Sequence, residues 1–275
     1  MSVTEWSDIN LIHFILAVAI VGFSSSSYAN CYKAAKNDIA YCSYKRFDVW
    51  LACRQRGAIL ATAELGPDTG SVDTSNRNYF LDPTANELGC QQSSDSTYAS
   101  HHKGYDVGHL IAIDHFDDSY VDALETNVMV NMVPQATSFN RNGAWKKTES
   151  LTECFRDEKS YGPLTIYAGV IYGNDITNDY YSVSHGLPNT PDYLWKLIFF
   201  NRVNSYDLWV MSNKDESTAK TLSQSRRTID SLIQTLEGED ESYYNPAIFE
   251  LLKIRVKKPK QIELKNNSRC RQRVG

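Results

Sequence analysis

Residues 105–149 read YDVGHLIAIDHFDDSYVDALETNVMVNMVPQATSFNRNGAWKKTE, and this stretch decides how the chain is interpreted. Near its start His109 follows Gly108 at the end of a predicted strand. An unprotonated imidazole can take a proton from water near neutral pH, and a glycine lets a ligand or another backbone approach closely. A single histidine is more often structural than catalytic, so the residue type alone leaves both interpretations open.

Two asparagines four residues apart, Asn127 and Asn131, lie further along in an apolar run that ends at Pro134-Gln135. Side-chain amides in such a run can bond phosphate oxygens, or they can satisfy the backbone of a loop. These residues by themselves favour neither alternative.

A third polar block leads from Asn140 into a predicted helix that carries Glu149. The carbonyl oxygen of the Asn140 amide is a suitable ligand for Mg²⁺, which takes few protein ligands and keeps several waters. Glu149 can accept hydrogen bonds from such waters. The alternatives are a helix cap or loop residue for Asn140 and a solvated helix face for Glu149. Upstream, Arg77 is either a phosphate clamp or an ordinary surface arginine.

The spacing of apolar residues along the chain predicts both strands and helices. Strands are predicted at residues 58–65, 104–113, 164–172, 193–203 and 206–211, and helices at 145–155, 229–236 and 247–254. The segment from Gly66 to Asn78 is rich in Gly, Ser, Asp and Asn and predicts a loop. Neither a repeat nor a Pro/Gly linker divides the sequence, so we expect one α+β domain over residues 30–275.

The composition is that of an ordinary globular protein. Of the 275 residues, 42% are hydrophobic and 22% are charged, which excludes a disordered or collagen-like chain. The formal net charge is −5, so there is no global positive field to attract nucleic acid. The segment from Lys253 to Gly275 nevertheless has nine basic residues and one acidic residue, a local charge of +8. This basic tail can hold phosphates by counterion release, or it can serve solubility alone.

The N-terminus predicts export. An apolar run from Leu11 to Phe23 is short for a membrane-spanning helix and is followed by small residues up to Ala29. We interpret residues 1–29 as a cleaved signal peptide, with a buried helix or an uncleaved anchor as the alternatives. All six cysteines follow Ala29, and an even number in an exported chain indicates disulfides whose pairing the sequence does not choose. The predicted location is secreted or periplasmic, without stable membrane association after cleavage.

Together these blocks resemble a known family. Asp106-x-Gly108-His109, then Asn131-x-x-Pro134-Gln135, then Asn140…Gly143-Ala144-Trp145…Glu149 are similar in order and interval to the DNA/RNA non-specific endonucleases of the ββα-metal (His-Me finger) superfamily. Arg77-Asn78 resembles the family's upstream arginine element, and Tyr193-Leu194-Trp195-Lys196 its downstream strand. The resemblance implies an α+β fold with an antiparallel central sheet, flanking helices and a ββα-metal finger motif.

By matching position, the resemblance assigns roles to five side chains. His109 would be the general base that activates water, and Asn140 the one direct protein ligand of a Mg²⁺ ion, for which Mn²⁺ can substitute. Glu149 would hold the water shell of that ion, Arg77 would neutralise the phosphate, and Asn131 would position the substrate or the histidine.

The implied activity is Mg²⁺-dependent hydrolysis of phosphodiester bonds in DNA and RNA, with little sequence preference and with 5′-phosphate products. The alternative is an exported nucleic-acid-binding protein whose nuclease site is degenerate. A serine esterase is disfavoured because the chain has no Gly-x-Ser-x-Gly motif.

Two positions depart from the family pattern. The family usually has an arginine where this chain has Val107, so a phosphate contact is either missing or supplied by another cation such as Lys103. Asn140 stands five residues before Trp145, whereas the family's ligand usually stands four before it. The extra residue makes Asn142 the alternative metal ligand.

Overall fold

The computed structural model describes residues 30–33, 38–262 and 270. The predicted signal peptide of residues 1–29 and most of the basic tail beyond residue 262 lie outside the described residues. None of the helices in the described part of the chain has the length and apolarity needed to cross a bilayer.

Strands and helices are interspersed along the described chain. The strands are β1 (Asn30–Lys33), β2 (Ile39–Ser43), β3 (Phe47–Ala52), β4 (Gly57–Leu65), β5 (Tyr105–His109), β6 (Met132–Ala136), β7 (Leu164–Ile171), β8 (Tyr193–Phe200), β9 (Ser205–Ser212) and β10 (Lys260–Gln261). The α-helices are α1 (Pro83–Glu87), α2 (Tyr120–Glu125), α3 (Thr137–Arg141), α4 (Ala144–Asp157), α5 (Ile229–Gly238) and α6 (Glu241–Val256). Short 3-10 helices lie between them, including Ile113–Phe116 and Met129–Asn131.

One large sheet organises the molecule. Its strand order is β1-β2-β3-β4-β7-β8-β9-β10, and every neighbouring pair is antiparallel except β9 and β10. Strands β5 and β6 form a separate antiparallel pair. The predicted fold class, α+β with an antiparallel central sheet and flanking helices, is confirmed.

Helices cover both faces of the centre of the sheet. On one face, the ammonium of Lys196 in β8 lies 3.9 Å from the ring centroid of Trp145 in α4. Phe199, three residues further along β8, is on the opposite face because side chains alternate along a strand. There it contacts Lys257, which directly follows α6. Strand β8 is buried at every position except Tyr193, which explains why its sequence is apolar apart from Lys196.

Helix α4, which follows strands β5 and β6 and the short helix α3, completes a ββα unit and carries Glu149 on its buried side. Its buried positions recur every three or four residues and include Trp145, Glu149, Leu151 and Phe155. The helix predicted over residues 145–155 is therefore confirmed. The buried stripe excludes the alternative that Glu149 lies on a solvated face.

The N-terminal third of the sheet was not predicted. Strands β1, β2 and β3 are short, and at this end one face of the sheet is open, so polar and apolar residues mix. The last helix, predicted over residues 247–254, is longer and covers Glu241–Val256. Part of the basic tail lies in this helix, where Lys253 pairs with Glu250 at 2.7 Å and Arg255 with Asp230 at 3.2 Å. These two cations are thus partly neutralised within the protein.

Three disulfides confirm the interpretation of the six cysteines. The pairs are Cys31–Cys42, Cys53–Cys90 and Cys154–Cys270. The third joins residue 270 in the basic tail to α4, the helix that carries Glu149. The basic tail is therefore tied covalently to the ββα unit at residue 270.

Removal of the third disulfide is expected to cost more stability than removal of the first. The Cys154–Cys270 bond closes a loop with a sequence separation of 116 residues, against 11 for Cys31–Cys42. In the chain-entropy account, loops of these lengths correspond to about 4–5 and about 3 kcal/mol respectively. Urea unfolding of the two double Cys→Ala variants measures the difference. Equal losses, or a larger loss for the first disulfide, would contradict the expectation.

Candidate active site

A cleft of about 510 Å³ opens beside the ββα unit, between β5, α3, α4 and the loop that precedes α1. Four of the five predicted site residues line it: Arg77, His109, Asn140 and Glu149. They come from a loop, a strand and two helices, and the fold brings them together.

The imidazole of His109 is buried at the end of β5. Its orientation is fixed by the side-chain amide of Asn127, which is itself held by a backbone carbonyl. Its Nε2 lies 3.0 Å from Oδ1 of Asn127, and Nδ2 of Asn127 donates to the carbonyl oxygen of Asn76 at 3.0 Å. Because the amide nitrogen of Asn127 is used in this way, its oxygen faces the ring. Nε2 must then carry the proton and donate it, which leaves the lone pair on Nδ1.

The backbone of His109 is held as firmly as its ring. Its carbonyl oxygen accepts hydrogen bonds from Nε2 of Gln135 and from Nε1 of Trp145, each at 3.1 Å. Gly108 makes this packing possible, since a Cβ at that position would lie 2.2 Å from the amide carbon of Gln135. A glycine before His109 is therefore required by the close packing of Gln135 against this part of β5.

Burial lowers the pKa of His109 from 6.5 to about 4. The nearby Arg77 guanidinium acts in the same direction, whereas the hydrogen bond to Asn127 and the carboxylates of Glu149 and Asp114 oppose the shift. The imidazole is consequently neutral at physiological pH and able to accept a proton.

The side chain of Asn140 is oriented by Asp106. Nδ2 of Asn140 donates to Oδ2 of Asp106 at 3.2 Å, so its carbonyl oxygen points elsewhere, and no described residue donates to that oxygen. Arg141 makes a two-pronged ion pair with the same carboxylate at 2.8 and 2.7 Å. Asp106 thus links the first and third blocks of the sequence.

The extra residue before Trp145 is accommodated between two helices. Helix α3 ends at Arg141 and α4 begins at Ala144, so Asn142 lies in the break. Asn142 is exposed and is not among the residues that line the cleft, whereas Asn140 is. Of the two candidate ligands, Asn140 is the one that shares the cleft with Glu149.

A lysine bridges two carboxylates on the helical side of the cleft. Nζ of Lys146 lies 3.1 Å from Oε2 of Glu149 and 3.6 Å from Oδ2 of Asp114. Oδ1 of Asp114 accepts a hydrogen bond from Thr74 at 2.7 Å. This contact and the charge of Lys146 lower the pKa of Asp114 against the opposing effect of its burial, which is the largest single influence. Asp114 therefore keeps its negative charge at the edge of the cleft.

Arg77 reaches the cleft from the long loop that the sequence predicts over residues 66–78. Its guanidinium donates to the backbone carbonyl oxygens of Thr74 and Asn76. The side chain is exposed, so its charge is available to an incoming anion. The same loop supplies the carbonyl of Asn76 that orients Asn127, so Arg77 and His109 are positioned by one segment.

The structure does not bring Asn131 to the cleft. Its amide is buried and bonded to backbone atoms: Oδ1 accepts from the amide of Ile111 at 3.0 Å, and Nδ2 donates to the carbonyls of Ile111 and Thr126, each at 2.9 Å. The side chain of Asn131 thus satisfies backbone hydrogen-bonding groups of the chain that follows β5. This is the second of the two roles that the sequence left open for the asparagine pair. The neighbour of the imidazole is Asn127, the other member of the asparagine pair.

A cation near the position of the missing family arginine comes from α3. Val107 lines the cleft, but Lys103 does not, and Arg141 does. No sequence motif points to Arg141, and only its ion pair with Asp106, 35 residues earlier in the chain, reveals that the two side chains lie together in the cleft.

The groups around the cleft suit a hydrated divalent cation. The carbonyl oxygen of Asn140 and the carboxylates of Glu149 and Asp114 are hard oxygen donors. The described residues contain no cluster of three or more His, Cys, Asp or Glu that would enclose an ion completely. An ion bound through one or two protein oxygens and several waters matches the preference of Mg²⁺.

A family model described as "DNA/RNA non-specific endonuclease" matches residues 25–240. The chain belongs to the DNA/RNA non-specific endonuclease family. The resemblance noted in the sequence is thereby confirmed. Helix α6 and the basic tail lie beyond the matched residues.

A solved structure shares the fold of this nuclease-family chain. It is the crystal structure of the EndoG/EndoGI complex, with a TM-score of 0.55 and 19% sequence identity, over 72% of this chain and 83% of that chain. At this level of identity the likeness concerns the fold alone. No curated protein matches the sequence.

Proposed function

We propose that this member of the non-specific endonuclease family is an exported, Mg²⁺-dependent endonuclease that hydrolyses phosphodiester bonds of DNA and RNA. His109 acts as the general base, Arg77 binds the scissile phosphate, and Asn140 and Glu149 serve the metal. Asn131 acts only indirectly, by holding the chain that follows His109.

One observation carries the proposal: a neutral imidazole with a fixed tautomer lies in a cleft that also contains guanidinium groups and hard oxygen donors. Hydrolysis of a phosphodiester needs a base for the attacking water and positive charge at the non-bridging oxygens. Both are present within one cleft.

The direction of proton transfer follows from the hydrogen bonds of His109. Nδ1 accepts a proton from water as the water oxygen attacks phosphorus, and the bond from phosphorus to the 3′-oxygen breaks. The departing 3′-oxygen takes up a proton from solvent water, so that the products are a 5′-phosphate and a 3′-hydroxyl. Asn127 stabilises the resulting imidazolium, because its oxygen faces Nε2–H. Arg77 compensates the negative charge that develops on the phosphate.

A divalent ion held by Asn140, with Glu149 bonding its waters, would supply Lewis-acid stabilisation of the phosphate and of the departing 3′-oxygen. Asp106 keeps the carbonyl oxygen of Asn140 available by engaging its amide nitrogen. Since these groups address the backbone of the nucleic acid rather than its bases, we expect little sequence preference.

Export and a single-domain organisation are part of the proposal. Three disulfides suit an oxidising compartment, which agrees with a secreted or periplasmic protein. One hydrophobic cluster includes residues from β2 to α6 and Cys270, which supports one nuclease domain over residues 30–275.

A nicking assay tests the proposed activity. Purified protein with MgCl₂ is expected to convert supercoiled plasmid to nicked and linear forms, and to degrade RNA. EDTA should stop the reaction, and added Mg²⁺ or Mn²⁺ should restore it. Full activity in excess chelator would remove the metal from the mechanism. Binding of DNA without nicking would instead favour the degenerate, DNA-binding alternative.

The pH below which kcat/KM falls is expected to be lower than the usual pKa of a histidine. Because the pKa of His109 is lowered to about 4, the neutral base persists down to that pH and is lost only below it. With saturating Mg²⁺, kcat/KM should thus show no inflection near pH 6.5. An inflection near pH 6.5 that vanishes in His109→Ala would contradict this. An Asp114→Asn variant shows whether that carboxylate contributes to the fall at low pH.

A further inference from the structure

The cleft has two chemically different walls. The charged groups Arg141, Lys146 and Glu149 lie on the helical side. Two tyrosines, Tyr79 and Tyr105, also line it. The ring centroid of Tyr79 is 6.4 Å from that of His109, so aromatic surface begins next to the proposed reacting centre.

The aromatic surface continues outward from Tyr105. The ring of Tyr105 is 6.1 Å from that of Tyr180, and Tyr180 stacks on His102 with ring centroids 3.5 Å apart and planes within 5° of parallel. Tyr180 remains 43% exposed. We call Tyr79, Tyr105, Tyr180 and His102 the aromatic wall.

A layer of buried side chains packs behind the aromatic wall. Tyr181 is fully buried, and its ring contacts those of Tyr105, Tyr180 and Tyr98. The hydroxyl of Tyr98 donates to Oε1 of Gln92 at 2.7 Å, and Nε2 of Gln92 donates to the carbonyl of Met129 at 3.0 Å. The exposed rings are therefore backed by a hydrogen-bonded core that limits their motion.

We propose that the aromatic wall is a stacking subsite for unpaired nucleobases of the substrate strand, so that single-stranded nucleic acid is the preferred substrate. The proposal rests on the proposed nuclease function. Planar rings stack on any base, and such contacts need no base-specific hydrogen bonds. In a duplex both faces of each base are already stacked, so only an unpaired or displaced base gains from the wall.

Charge around the wall is compatible with a strand that runs along it. Arg77 and Arg141 lie at the cleft end, where backbone phosphates would pass. Lys103 follows His102 directly and is exposed. Three carboxylates lie near Tyr105, and each has a partner within the protein: Asp175 pairs with Lys214 at 3.5 Å, and Asp192 and Asp215 accept hydrogen bonds from backbone amides. The bases can therefore face the rings while the phosphates follow the cations.

The test compares substrates with and without bases. Wild-type and Tyr180→Ala proteins are assayed on single-stranded oligothymidylate, on an abasic oligonucleotide of equal length and on a duplex. Tyr180→Ala is expected to lower kcat/KM on oligothymidylate by about 5- to 150-fold, the range for one stacked base, and to leave kcat/KM on the abasic substrate unchanged. Tyr32→Ala, at a tyrosine that is 60% exposed on β1, is the matched control.

Binding separates failure of the subsite from failure of the nuclease proposal. Affinities of the His109→Ala protein for oligothymidylate and for the abasic strand are measured with and without Tyr180→Ala. Tighter binding of oligothymidylate that disappears in the double variant supports the subsite even if no cleavage occurs. Equal binding of both strands, or equal loss on both substrates in the kinetic assay, overturns the inference.

Discussion

His109→Ala is expected to lower kcat/KM on plasmid DNA by about 10²–10⁴-fold, the usual contribution of a positioned general base. The physical reason is that no other described histidine lines the cleft, so the variant has no imidazole to accept the proton of the attacking water. Initial nicking rates at saturating Mg²⁺ measure the effect.

His101→Ala is the matched control, because His101 is exposed and outside the cleft-lining residues. Its activity should equal that of the wild type. Added imidazole should partly restore His109→Gly, since the missing ring leaves a space that free imidazole can enter. Retention of most activity in His109→Ala would remove this residue from the proposed chemistry.

Asn140→Ala is expected to lower turnover by about a hundredfold or more, because charge stabilisation by a bound metal is worth several kcal/mol. Removal of the amide also takes away one partner of Asp106, but the ion pair of Asp106 with Arg141 remains to hold that carboxylate. The Mg²⁺ concentration for half-maximal activity should rise together with the loss in rate.

Asn142→Ala provides the comparison. Asn142 lies in the break between α3 and α4 and is exposed, so its replacement should change neither turnover nor the Mg²⁺ requirement. The opposite result, a large loss for Asn142→Ala and a small one for Asn140→Ala, would transfer the metal to Asn142. Thermal unfolding of both variants shows whether a change in rate reflects loss of the fold.

The central β-strands were predictable from sequence because they depend on local pattern, whereas the ββα unit was implied by the family resemblance. Strands β4, β7, β8 and β9 are apolar runs of the right length, and α4 shows helical spacing. The pairing of β5 with β6 and the packing of α4 beside them involve residues at most 52 positions apart in sequence, from Tyr105 to Asp157. Short sequence intervals then suffice to bring His109, Asn140 and Glu149 together.

The roles of the two asparagines could not be predicted from the sequence. Asn127 and Asn131 are four residues apart and have the same functional groups, and the sequence gives no reason to prefer either. Between them the chain forms the 3-10 turn Met129–Asn131, which directs one amide to the imidazole and the other to the backbone after β5. The direction of the backbone at each asparagine decides which one bonds the imidazole and which one bonds the backbone, and residue type does not specify that direction.

Residue chemistry at short sequence intervals was enough to indicate the family, the α+β class, the presence of disulfides, and the candidate general base and metal ligand. Three features emerge only in the folded chain: Asn127 rather than Asn131 orients His109, Arg141 joins Asp106 in the cleft, and the aromatic wall forms beside it. These features join segments distant in sequence, such as His102 and Tyr180. Their contacts depend on the way that the large sheet and its loops pack, which no local pattern encodes.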